Sequence, residues 1–175
     1  ERILFFIQNI SKYAKSGKKY LEIGGGHGLY INEALSLLTN IEKFDLVDIS
    51  QSSLDLAEGI IDIDKVNFFL KNIFDFRESE TYDFVTMGEV LEHVEEPLNL
   101  LHKINQLLNK EGVCYITTPI NAPMIDHVYL FHNETEIRDM LNKAGFEIIE
   151  EMGSYDGKPI RDDGPEFIFV CRKQS

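Results

Sequence analysis

Positive charge is scarce in this chain. Its 17 Lys and Arg residues stand against 30 Asp and Glu among 175 residues, a formal net charge of -13. Phosphate backbones and anionic lipid surfaces take their affinity from Lys and Arg clusters, so nucleic acid and a membrane surface are poor partners. Cysteine is nearly absent: Cys114 and Cys171 are the two, far apart and without C-x-x-C spacing. Neither a disulfide framework nor a zinc knuckle is indicated, and buried reduced thiols in a cytoplasmic protein are expected. Long apolar runs are missing as well. "ILFFI" is broken at once by Gln8 and Asn9, far short of the roughly 20 residues of a membrane helix, so no membrane insertion is expected. The sequence also lacks internal repeats, low-complexity tracts and interdomain linkers.

What is present fits one domain over 1–175, with 43% hydrophobic and 27% charged residues. Apolar and polar runs alternate throughout. Ile3, Leu4, Ile7, Ile10 and Ala14 fall at helical spacing up to Ser16-Gly17. "KYLEI" then reads as a strand, and Ile31, Ala34, Leu35 and Leu38 mark a helix closing near Thr39-Asn40. "KFDLVDI", "KVNFFL", "YDFVTM" and "VCYITT" read as further strands. Between them lie a helix capped by Ser50 and one opened by Pro97, whose Leu100, Leu101, Ile104, Leu107 and Leu108 share a face. Asn133 with Glu136 forms a capping signature for a helix that Gly145 ends. "FEIIEEM" and "EFIFVCR" follow with no helix between them and should pair antiparallel. The expected fold is α/β: a Rossmann-like, doubly wound, seven-stranded, mostly parallel sheet with a C-terminal antiparallel hairpin.

Between the first strand and its helix stands "EIGGGHG". A strand running through glycines into a helix N-terminus brings bare backbone N–H groups and a positive dipole end toward a ligand. The dinucleotide pattern G-x-G-x-x-G fails, because Leu29 stands where the third glycine belongs. The pattern that fits is E-x-G-x-G-x-G, with Glu22, Gly24, Gly26 and Gly28. Asp48, closing "LVD", supplies a carboxylate able to accept from two ribose hydroxyls.

These segments, with "MGEVLEHVEEP" further on, resemble the class I S-adenosylmethionine-dependent methyltransferases, and most closely the ubiquinone-biosynthesis-type O-methyltransferases. The resemblance implies that Glu22 approaches the donor's amino group and that Gly24, Gly26, the His27 backbone and Gly28 pass beneath its ribose and methionine portions. It implies Ile49 against adenine and Gly88 at the methionyl end. Where the family often has an aspartate for the adenine amine this chain has Asn72, whose amide oxygen accepts equally well, with the Ile73 N–H near a ring nitrogen. The family's upstream lid elements are expected to be missing or cut away, the chain opening at Glu1.

In metal-dependent relatives the E-x-x-E-H triplet binds a divalent ion. The resemblance thereby nominates Glu89, Glu92 and His93, with His127 from the loop after the fifth strand as fourth ligand. Mixed carboxylate and imidazole donors suit Mn, Fe, Co or Zn better than Mg on softness, although the resemblance also implies Mg. Metal-free relatives carry a similar string, and both readings stay open. Without an ion, His93 or His127 is the candidate general base, since imidazole titrates near neutrality and both belong to loops at the carboxyl ends of strands. Met124, Tyr129 and Phe131 are candidates to wall an acceptor pocket; a hydrophobic hinge is the other reading of them.

The reaction implied is methyl transfer to an oxygen, with nitrogen second, of a small polar metabolite, a homodimer being one way to complete the pocket. The rivals are a non-catalytic S-adenosylmethionine-binding sensor or partner subunit, and a nicotinamide oxidoreductase, which Leu29 and the terminal hairpin disfavour.

Overall fold

The computed structural model describes residues 10–13, 16–61, 64–76, 79, 81–120, 133–161, 164 and 166–174. Seven strands form one sheet: β1 (Lys19–Ile23), β2 (Lys43–Asp48), β3 (Val66–Leu70), β4 (Tyr82–Gly88), β5 (Leu108–Pro119), β6 (Phe146–Met152) and β7 (Glu166–Lys173), in the order β3-β2-β1-β4-β5-β7-β6. Every ladder from β3 to β5 is parallel, and β7 runs antiparallel to both its neighbours. The predicted hairpin is therefore present, with β7, not β6, lying against β5.

Four helices connect the strands: α1 (Leu29–Leu37), α2 (Gln51–Glu58), α3 (Pro97–Leu107) and α4 (Glu134–Lys143). Their ends follow local chemistry. The Ser50 side chain accepts from the Ser53 N–H to start α2, Pro97 takes the first turn of α3, and Asn133 with Glu136 closes a full capping box on α4. Of the expected N-terminal helix, residues 10–13 are helical, with Ile10 buried; Ile3, Leu4, Ile7 and Ala14 lie outside the described residues.

Period-two alternation sends neighbouring strand residues to opposite faces. Leu21, Ile23, Val47, Val85, Met87 and Ile116 pack with α3 and α4, and Tyr20, Leu46, Phe84 and Tyr115 pack with α1 and α2. Buried on both sides, the central strands read as almost unbroken apolar runs. Asp45, fully buried on β2, is one of the few polar residues there, and it is satisfied: it accepts from the Asn67 amide at 2.7 Å and from the Tyr82 phenol, with the Lys43 ammonium at 3.1 Å. An unpaired carboxylate there would cost several kcal/mol.

Cys114 and Cys171 are both free and buried, as expected, yet they stand directly opposite each other in the β5–β7 ladder. Burial pushes both thiols well above their usual range.

Because β1 has β2 on one side and β4 on the other, the connections leave on opposite faces, and a crevice opens at the carboxyl ends of β1 and β4. Open α/β sheets bind their ligands at such a switch point. No helix among the described residues is long and apolar enough to cross a membrane.

Candidate methyl-donor site

The glycine loop sits at that crevice. Gly24, Gly26 and Gly28 adopt φ values of 64°, 52° and 68°, a left-handed conformation that costs an L-residue about 1–2 kcal/mol. Side-chain space separates the three. A Cβ on Gly24 would stand 2.4 Å from Val90 Cγ2 and one on Gly28 2.4 Å from Ile61 Cδ1, whereas a Cβ on Gly26 would meet nothing within 4 Å. Gly24 and Gly28 thus let neighbouring elements close in, and Gly26 keeps bare backbone facing open space. His27 beside it is exposed.

Asp48 locks this loop to β2. One carboxylate oxygen accepts from the Gly26 N–H at 3.2 Å and the other from the Ser50 N–H at 2.8 Å, and the Gly24 N–H donates to the Val47 carbonyl at 2.9 Å. The carboxylate is 9% exposed at the rim of the crevice, and each oxygen retains a lone pair for a ribose hydroxyl.

Glu22 lies beneath the loop at 1% exposure. Gly28, the N-cap of α1, has no side chain to satisfy the first-turn amides, and Glu22 Oε2 accepts from the Ile31 N–H at 2.7 Å in its place. Its Oε1 is buried with no partner. Burial above all, and the Asp48 charge, push this carboxyl from 4.5 to about 8 despite the Ile31 bond.

At the rim beyond β2, Ile49 is 75% exposed, with Leu70 at the end of β3 and Phe74 just past it exposed at 49% and 42%. These are apolar groups at strand ends, suited to a planar ring. Asn72 is a turn residue: its Oδ1 accepts from the Phe74 N–H at 3.0 Å, so one lone pair of the proposed adenine acceptor is already engaged. Ile73 is buried beside it.

At the end of β4, a Cβ on Gly88 would lie 3.0 Å from Tyr30 Cε2 and 3.4 Å from Thr117 Oγ1. Glu89 follows at φ 56°, held there by its N–H on the Thr117 carbonyl at 2.9 Å; a non-glycine residue in this region is strained and clusters at functional sites. A short 3-10 turn over Leu91–His93 then turns Glu92 inward to 2% exposure, where Oε2 accepts from the Thr118 hydroxyl at 3.2 Å. Burial, with smaller contributions from Glu89 and Glu166, raises its carboxyl to about 7. The His93 side chain is 45% exposed, its Nε2 3.9 Å from Glu92 Oε1.

Of the nominated metal set, Glu89, Glu92 and His93 are among the described residues. Among the described residues no three His, Cys, Asp or Glu side chains converge on one point: Glu92 turns to Thr118 while His93 faces solvent. His127, like Met124, Tyr129 and Phe131, lies outside the described residues.

Three contacts escaped the sequence: Val90 on Gly24, Tyr30 on Gly88, and the approach of Tyr155 to Tyr30 and Glu166. The apolar Val90 inside an acidic string was a usable signal. Tyr155, in the β6–β7 connection, carried none.

The chain resembles known proteins along most of its length. It is 31% identical over 165 residues to the mitochondrial ubiquinone biosynthesis O-methyltransferase of Candida albicans, covering 76% of this chain and 49% of that protein. It is 26% identical over 139 residues to the ubiquinone biosynthesis O-methyltransferase of Actinobacillus pleuropneumoniae, covering 75% and 58%. The chain thus spans about half the length of these curated relatives. Among solved structures, an S-adenosylmethionine-dependent methyltransferase from Clostridium acetobutylicum superposes with a TM-score of 0.82 at 12% identity, over 98% of this chain and 90% of that one. The N-methyltransferase NodS of Bradyrhizobium japonicum, solved with S-adenosyl-L-homocysteine, gives 0.76 at 16%, over 97% and 84%. At these identities the structures establish a shared fold. The methyltransferase-domain family matches residues 1–151, and this chain belongs to that family.

Proposed function

We propose that this chain binds S-adenosylmethionine at the β1–β4 crevice and transfers its methyl group to an oxygen, with nitrogen second, of a small polar acceptor. One observation carries the reading. Three left-handed glycines present open backbone at Gly26, and its N–H is tied to the carboxylate of Asp48. The names of the curated relatives support oxygen as the nucleophile.

The bound donor supplies a methyl already activated by positive sulfur. The chain's own part is alignment and proton handling. Asp48 takes the ribose hydroxyls, while Ile49 lies against the adenine, whose ring meets Asn72 and Ile73. The glycine loop passes beneath ribose and methionine, and Gly88 leaves room at the methionyl end. Glu22 faces the ammonium, whose arrival compensates the buried Oε1. For the acceptor's proton, His93 is the exposed imidazole, beside Glu92, and His127 is the second candidate.

Calorimetric titration with S-adenosylmethionine, S-adenosylhomocysteine and NAD tests the reading. Binding of the first two is expected; affinity for NAD alone would overturn it. Tritium transfer from labelled donor to a panel of catechols and sugars then reads the acceptor.

A further inference from the structure

One glycine of the loop stands where the backbone does not call for it. Gly24, Gly26 and Gly28 have positive φ and Gly25 does not. Its carbonyl closes the turn by accepting from the Gly28 N–H at 2.7 Å, a bond that any residue can make. What sets Gly25 apart is the missing side chain. A Cβ there would stand 2.9 Å from Leu46 Cδ1, 3.0 Å from Leu46 Cγ and 3.0 Å from Glu22 Cδ, about half an ångström or more inside the contact distance of two carbons. Leu46, fully buried on β2, lies in register with Glu22 in the β1–β2 ladder. The Glu22 carboxyl thus occupies space that a side chain at position 25 would need. From there Oε2 reaches the Ile31 N–H at 2.7 Å, while Oε1 is buried without a partner. Side-chain length matters alongside the space. An aspartate at this position would end one carbon sooner, drawing the carboxyl back by about 1.5 Å.

We infer that Gly25 is a positioning residue: by lacking a side chain it sets the Glu22 carboxyl at the height where it meets the α-ammonium of the bound nucleoside, so that the two residues together select nucleosides carrying an amino-acid tail over those without one. The inference rests on the donor-site reading above and goes beyond it, because the ribose and adenine contacts of Asp48, Ile49 and Asn72 are the same for a nucleoside that lacks the tail. The left-handed glycines shape the loop; Gly25 fixes what lies beneath it. A hydrogen bond between a buried carboxylate and an ammonium is worth about tenfold or more in affinity, and it is lost when donor and acceptor part by about an ångström.

The test is calorimetric titration of S-adenosylhomocysteine, which carries the tail, and 5′-methylthioadenosine, which does not, into wild type, Gly25→Ala, Glu22→Asp and the double variant. Wild type is expected to favour S-adenosylhomocysteine. Gly25→Ala pushes the carboxyl out of place and Glu22→Asp withdraws it, so each should weaken S-adenosylhomocysteine about tenfold and leave 5′-methylthioadenosine within about twofold. In the double variant the added methyl no longer meets the carboxyl, and the ratio of the two affinities should be no lower than in Glu22→Asp alone. A loop merely displaced by Leu46 would weaken both ligands alike. That result, or a double variant whose ratio falls by the product of the single effects, overturns the inference. So does a wild type that binds both ligands equally well, which leaves the donor-site reading standing; a wild type that binds neither overturns both. Should Gly25→Ala not fold by circular dichroism, Glu22→Asp decides: an unchanged ratio there overturns the inference, since the height of the carboxyl would not matter.

Discussion

Replacing Glu22 by Gln should make the protein's stability less sensitive to alkali. The Glu22 carboxyl is raised from 4.5 to about 8 in the folded state, chiefly by burial, while in the unfolded chain it titrates near its ordinary value. Between those two values the folded protein holds a proton that the unfolded chain releases. Its contribution is fully present below about pH 4.5, is lost progressively as pH rises toward 8, and levels off above. From about pH 6 to about pH 9 the loss amounts to about 2.5 kcal/mol, because each step of one in pH below 8 removes roughly 1.4 kcal/mol. Gln keeps an acceptor for the Ile31 N–H and never ionises, so Glu22→Gln should lack that loss. Glu92, raised to about 7, adds a further decline to both proteins and cancels in the comparison. Urea unfolding followed by circular dichroism at the two pH values gives both slopes. Parallel declines in wild type and variant would refute the argument, because they would mean that the carboxyl beneath the loop is already ionised at neutral pH.

The glycines should separate binding from folding. Gly26→Ala is expected to cost about 1 kcal/mol of backbone strain while S-adenosylmethionine affinity in calorimetry drops by more than about tenfold, since its methyl projects into the open cradle. Gly28→Ala meets Ile61 Cδ1 at 2.4 Å and should lower stability by about 3 kcal/mol from overpacking and strain together, read by thermal melting. Asp45→Ala strands the Tyr82 phenol and the Asn67 amide and should cost about 3 kcal/mol in urea unfolding without altering donor affinity. Dialysis against excess chelator should leave methyl transfer unchanged; activity restored only by an added divalent ion would show that a donor beyond the described residues completes the Glu89–Glu92–His93 set.

Much of this architecture was legible because local signals agreed with the global pattern. Ser50, Pro97 and the Asn133–Glu136 pair mark helix starts with their own hydrogen-bonding chemistry, and E-x-G-x-G-x-G needs φ signs that glycine alone adopts cheaply. What stayed hidden depends on register. Nothing in "FEIIEEM" or "EFIFVCR" says which strand lies beside β5, and so nothing placed Cys171 opposite Cys114 or Glu166 opposite Pro119. The β5 boundary was missed for a local reason: α3 passes into β5 at Leu108 without a linker, and the ladder to β4 slips between Tyr82 and Phe84. The E-x-x-E-H string conveys nothing of the direction in which its side chains leave the backbone. Glu89 at positive φ and the 3-10 turn send Glu92 inward and His93 outward.

The placement of β7 between β5 and β6 also governs the order of assembly. When β6 emerges during synthesis it has no ladder to join, because its one strand neighbour is Glu166–Lys173. Until that segment threads into the gap, β5 presents an open edge ready to recruit strands from other molecules. Loss of those few residues would therefore undo two ladders at once and turn a finished sheet into an adhesive one.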